Sequence, residues 1–177
     1  MFIFQKKTTL MRIFLVGYMY SGKTTVGKRL ARQLGYRFMD TDKLFEERYK
    51  ISIPDFFSRY DETAFRKLEH DILLSTAECD NCVISTGGGT PCFNKNMDFI
   101  LDNGLSIYLE ASENTILSRK AKSKKARPIL ESMSDDELRT FVKEQLDERR
   151  PVYERARLRF DAEDVSIDDI CKAIQSL

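Results

Sequence analysis

The sequence predicts an α/β protein of three layers, with helices over both faces of a five-stranded parallel sheet. Three observations carry this. Short apolar runs alternate with helical patterns along the chain. A glycine-containing loop joins the first run to the first helix, and the residues with chemical potential follow directly after apolar runs. Arg12–Val16 reads as the first strand, and the helix after its loop ends near Gly35, a natural C-cap. Tyr36–Met39 reads as a short second strand running into Asp40-Thr41-Asp42. Helical segments follow to about Glu78, broken near Pro54 and Asp61. Cys82–Ser85 has the all-apolar look of a buried strand and enters Gly87-Gly88-Gly89. Asn94–Leu101 is helical and Leu105–Leu109 is a strand. Ser112 caps a helix to about Lys120, Ser134-Asp135-Asp136-Glu137 opens a long one, Leu158–Phe160 is a last strand and residues 166–177 a last helix. Right-handed crossovers place the ligand crevice at the carboxyl ends of the strands.

At 177 residues the chain suits one domain with a sizeable core. The net charge is +1, from 29 basic and 28 acidic residues, without the basic excess of a nucleic-acid or membrane-surface binder. No apolar run approaches a membrane span, and the N-terminus lacks the pattern of a secretory signal. The expectation is a cytoplasmic monomer whose partner is a small molecule. Residues 1–10 read as a leader without order, and Met11 offers an alternative start. Cys79 and Cys82 form a C-x-x-C pair, but with His70 as the one histidine the ligand set of a zinc site is missing, and free thiols are expected. His70 itself reads as a helix-surface residue.

The stretch Gly17-Tyr18-Met19-Tyr20-Ser21-Gly22-Lys23-Thr24 fits the phosphate-binding loop pattern, in the strand–loop–helix context that pattern requires. Backbone N–H groups of the loop and of the first helical turn converge on anionic oxygens there. Lys23 adds a positive charge towards the β- and γ-phosphates, and the Thr24 hydroxyl suits Mg²⁺. The chain therefore binds a nucleoside triphosphate. Asp40 and Asp42, sharing a side if the segment is extended, supply one carboxylate for the metal and one for an acceptor hydroxyl; the alternative is a helix-capping pair. The triple glycine follows a buried-type strand, where close approach to a ligand or a positive φ would require it. Arg66 and Glu69 share a helical face, either as a surface ion pair or with Glu69 aiming Arg66 at an anion. Arg149 and Arg150 close a helix. The basic run from Arg119 to Arg127 suits a lid over the triphosphate, bringing Arg127 to the transferred phosphoryl group.

Over residues 11–177 the chain resembles shikimate kinase. The resemblance rests on the phosphate loop, Asp40-Thr41-Asp42, Phe65-Arg66-Lys67-Leu68-Glu69, Ser85-Thr86-Gly87-Gly88-Gly89, Arg127-Pro128, and Arg149 before Pro151-Val152-Tyr153. It implies a P-loop kinase fold with a helical substrate-binding region at about 42–70 and a mobile lid at about 120–131. It implies ATP-dependent phosphorylation of the 3-hydroxyl of shikimate in aromatic amino-acid biosynthesis. It implies that Asp42, Arg66, Gly88 and Arg149 bind shikimate, with Gly87 and Gly89 beside them. Tyr20, Ser21, Gly22, Lys23, Thr24, Thr25 and Arg127 would contact ATP, Thr24 and Asp40 would serve Mg²⁺, and Lys23, Asp42 and Arg127 would carry the chemistry.

Two departures stand out. Tyr20 occupies a position where the family's loop usually has glycine, and a tyrosine there is expected to keep φ negative. No arginine follows Arg159, so the family's usual adenine contact after the last strand is missing, and Arg119 is the candidate to stack on the base. Among other readings, a gluconate-type or nucleoside monophosphate kinase is the nearest, separated by a substrate panel. A GTPase switch lacks its guanine signature, because Asn94-Lys95-Asn96-Met97-Asp98 puts the aspartate one place late. A purely regulatory ATP-binding module leaves the acceptor-side residues unexplained.

Overall fold

The computed structural model describes residues 11–123 and 133–177. Five strands form one parallel sheet in the order β2-β3-β1-β4-β5. They are β1 (Arg12–Val16), β2 (Arg37–Asp40), β3 (Cys82–Ser85), β4 (Leu105–Glu110) and β5 (Leu158–Asp161). The central strands β1 and β3 are the apolar runs of the sequence, and their interiors are sealed from solvent, whereas the edge strands β2 and β5 are more open. That is the pattern of a parallel sheet covered by crossover helices.

Among the described residues, eight α-helices connect and flank the strands: α1 (Lys23–Leu34), α2 (Thr41–Tyr49), α3 (Ile53–Arg59), α4 (Glu62–Ser75), α5 (Asn96–Asn103), α6 (Glu113–Lys122), α7 (Asp135–Tyr153) and α8 (Ile167–Gln175). Helix α1 packs on β2 and β3 and carries α8 on its flank, while α5 lies against β4 and α6 against α7. The main core collects Ile13, Phe14, Leu15 and Val16 of β1 with Ile84, Ile107, Leu109 and Ile170. A second apolar cluster, Phe45, Phe56, Phe65 and Ile72, belongs to α2, α3 and α4. Its rings meet edge-on or tilted, Phe45 standing 5.0 Å from Phe65 and 5.4 Å from Phe56, as aromatic quadrupoles prefer. The expected helical substrate-binding region thus has a small core of its own.

Local rules explain the helix ends. Asp61 and Ser112 accept from the backbone of Ala64 and Thr115, and Ser134 with Glu137 forms a full capping box for α7. Helix α7 continues through Pro151 to Tyr153, so Arg149 and Arg150 sit inside its last turns and do not close it. Residues 1–10 and most of the expected lid, with Arg127, lie outside the described residues. No described helix is long and apolar enough to cross a membrane.

Candidate active site

The carboxyl ends of β1, β2 and β3 converge because the register aligns Asp40 and Leu15 with Ser85. Thr86 ties the first and third strands together, its N–H and hydroxyl both donating to the Leu15 carbonyl at 3.2 and 3.0 Å. The buried Thr41 hydroxyl accepts from the Gly87 N–H at 3.0 Å and fixes the second strand's exit to the triple glycine. A cleft of about 440 Å³ opens above these ends, lined by Lys23, Thr24, Asp40, Asp42, Gly88 and Ser123, with Tyr20, Gly22 and Thr25 also on its wall.

On the loop side, the Lys23 ammonium donates to the Gly17 and Tyr18 carbonyls at 2.8 Å each. It is only 7% exposed, so the charge is held at the mouth of the loop rather than swinging in solvent. No side chain caps α1 at Gly22, which leaves its positive end to the cleft. Tyr20 corrects the sequence reading: its φ is +63°, in the left-handed region, not negative. A residue far away in sequence braces this conformation. Arg119 donates to the Tyr20 and Ser21 carbonyls at 3.1 and 2.9 Å and to the Ala162 carbonyl at 2.7 Å. Charge-assisted bonds offset the left-handed penalty of roughly 1–2 kcal/mol. Arg119 is thus a brace between the loop and the segment after β5.

The Thr24 hydroxyl donates to Asp40 Oδ2 at 2.8 Å. Two hard oxygens in contact suit Mg²⁺, which keeps waters and phosphate oxygens and needs few protein ligands. No group of three or more His, Cys, Asp or Glu side chains that could hold a metal ion occurs among the described residues. Asp40 ends β2 and also caps α2, accepting weakly from Lys43 N–H at 3.4 Å. Asp42 lies in the first turn of α2, so the two carboxylates do not share an extended side as the sequence suggested. Helix α2 starts at Thr41, and it is the turn of the chain there that brings both carboxylates to the cleft.

The triple glycine is crowded rather than left-handed, by side-chain ends at Gly87 and Gly89 and by backbone at Gly88. A Cβ on Gly87 would lie 2.8 Å from Asp42 Oδ1, one on Gly88 2.9 Å from the Met19 backbone nitrogen, and one on Gly89 2.8 Å from the Arg66 guanidinium. Three successive residues thereby lie against Asp42, the phosphate loop and Arg66.

Arg66 and Glu69 are no surface pair. Glu69 is buried, donors from Arg66 and Thr90 reaching it at 2.8 and 2.5 Å. Burial pushes its carboxyl above the usual range, and Arg66 and Thr90 only partly pull it back. Burial would lower the Arg66 guanidinium, but Glu69 and Glu62 outweigh it and the net effect is upward. The remaining edge of the Arg66 fork, Nε and Nη2, donates to Glu62 at 3.1 and 2.9 Å. The Phe93 ring covers the guanidinium at 4.0 Å. Arg149 donates to Gln145 and stands 5.6 Å from the Tyr18 ring.

Sequence reasoning missed Thr41 and Thr90, hidden among flashier neighbours, and Asn96. Buried Asn96 donates to the Thr90 carbonyl at 2.7 Å and meets His70 Nδ1 at 2.5 Å. His70 is therefore half-buried in a polar network rather than a simple surface residue. Cys79 and Cys82 are buried free thiols, Cys79 accepting from Arg37 at 2.7 Å. Burial, with the neighbouring Cys79, pushes the Cys82 thiol up to about 12.

The family model for shikimate kinase matches residues 19–177. The chain belongs to the shikimate kinase family. A shikimate kinase of Parabacteroides distasonis is 42% identical over 170 residues, covering 94% of this chain and 98% of the relative. A crystal structure of shikimate kinase from Bacteroides thetaiotaomicron superposes with a TM-score of 0.88 at 39% identity, covering 95% of this chain and 98% of that one. Shikimate kinase from Acinetobacter baumannii, solved in complex with shikimate, is similar at a TM-score of 0.83 and 31% identity, over 95% and 92% of the two chains. The shikimate kinase fold and the family's ATP-dependent phosphoryl transfer to shikimate thus describe this chain.

Proposed function

We propose that the cleft transfers the γ-phosphoryl group of ATP to the 3-hydroxyl of shikimate, with the donor held on the α1 side and the acceptor on the α2, α4 and α7 side. The observation carrying this is the triple glycine, pressed against Asp42, Met19 and Arg66 at once. In this reading the glycines lie between the two half-sites, so that donor and acceptor are bound side by side for in-line transfer.

In this reading Tyr20, Ser21, Gly22, Thr24 and Thr25 cradle the phosphates through the loop and the start of α1. Lys23, held on the Gly17 and Tyr18 carbonyls, presents its charge to the γ-phosphoryl as negative charge develops there. Thr24 and Asp40 hold Mg²⁺, which when bound neutralises phosphate charge. Arg127, outside the described residues, is assigned to the same charge by the family resemblance, and Arg119 serves the nucleotide side as brace and as partner for the adenine. Gly87, Gly88 and Gly89 floor the shikimate ring, while Asp42 accepts the proton of the attacking hydroxyl.

A coupled ADP-release assay with and without shikimate tests the function: ADP release at the same rate in both overturns it. Asp42→Asn keeps shape but cannot take the proton. If Asp42 is the base, kcat falls about 10²-fold or more. A rise in shikimate KM with kcat intact reassigns Asp42 to positioning.

A further inference from the structure

Tyr153, in the last turn of α7, is fully buried, and its ring lies 5.4 Å from that of Tyr108 on β4. Its hydroxyl donates to the Gly88 carbonyl at 2.6 Å. Gly88 is the glycine wedged against the Met19 nitrogen of the phosphate loop. One turn earlier on the same helix, Arg149 donates to Gln145 Oε1 and lies over the Tyr18 ring. A long arginine side chain has several rotamers, and ordering it for one carboxylate is entropically unfavourable unless neighbours fix it first.

We propose that Tyr153 is a positioning residue for the acceptor: tied to the Gly88 carbonyl, it holds the α7 turn that carries Arg149 in register with the phosphate loop, and Gln145 fixes the arginine from the other side. This rests on the reading that Arg149 binds the shikimate carboxylate. The tether acts on shikimate before transfer, so it contributes to ground state and transition state alike and appears in KM rather than kcat.

Tyr153→Phe deletes the hydroxyl alone. Shikimate KM should rise about tenfold, the effect of one lost orienting hydrogen bond. The kcat and the Kd of a non-hydrolysable ATP analogue should stay within about twofold. Tyr108→Phe, which removes another hydroxyl from the same ring pair without touching Gly88, should leave shikimate KM unchanged. A shikimate KM for Tyr153→Phe within twofold of wild type overturns the proposal, as does an equal loss in the Tyr108 variant or a matching loss of analogue binding. If Tyr153→Phe does not fold, Gln145→Leu on the half-buried helix surface decides. A raised shikimate KM with unchanged analogue binding supports the proposal, and an unchanged KM overturns it. Wild-type enzyme without shikimate-dependent turnover would instead remove the underlying function, a result distinct from an active wild type with an indifferent Tyr153→Phe.

Discussion

At the scale of the residue, one ammonium and one missing methyl decide most. Lys23 is buried on two loop carbonyls, so its charge is already in place when phosphate arrives. Lys23→Ala should lower kcat by about 10²-fold or more, the effect of removing one preorganised donor; near-wild-type turnover would refute the loop's role. Gly88 and Gly35 make a matched pair. Alanine at 88 drives a Cβ into the Met19 backbone, whereas at 35 it meets open space but a φ of +68°. Gly88→Ala should therefore cut kcat/KM about 10²-fold by spreading donor from acceptor. Gly35→Ala should leave kinetics alone and destabilise by about 1 kcal/mol. Steady-state rates and melting temperatures of the two proteins check both statements.

At the scale of the element, α7 is the helix that must not fray, because Arg149 and Tyr153 ride at its far end. Its start is stapled by Ser134 and Glu137, whose carboxylate accepts from the Ser134 N–H and hydroxyl at 2.8 and 2.7 Å. Those bonds hold the Glu137 carboxyl below the usual range. A lowered folded pKa means that this stabilisation is present above the ordinary glutamate value and fades as pH falls through the lowered one. Melting temperature against pH should drop more gently on the acid side for Glu137→Gln than for wild type, from a lower plateau at neutral pH. Ser134→Ala should destabilise by about 1 kcal/mol at neutral pH, with little effect on shikimate KM at saturating fold.

Across the whole molecule, the residues proposed for donor and for acceptor come from opposite sides of the triple glycine and should fail separately. Arg66→Lys keeps the charge but loses the fork, so shikimate KM should rise ten- to hundredfold, on the order of one charge-assisted bond or two. Binding of an ATP analogue by that variant should be unaltered, while Lys23→Ala should retain shikimate binding. Calorimetric titration of both variants with both ligands reads this directly. A variant that loses both ligands together would show that the two half-sites are one cooperative unit.

Much of this was legible from order and spacing alone. The parallel α/β class, β1 and β3 to the residue, the phosphate loop, and the placing of Asp40 and Gly87 at the carboxyl ends of strands follow from local periodicity and turn chemistry, which are short-range properties. The family resemblance drew on the same ordered motifs. What the chain's periodicity does not encode is which distant atoms meet. Arg119 braces the left-handed Tyr20 from 99 positions on, Thr90 reaches the Glu69 carboxylate across 21 positions, and Tyr153 finds Gly88 across 65 positions. Each is a tertiary contact between residues whose local patterns are indifferent to it. In each the energy comes from desolvating a polar group and then satisfying it, a balance that exists only once the sheet and its helices have closed around the site.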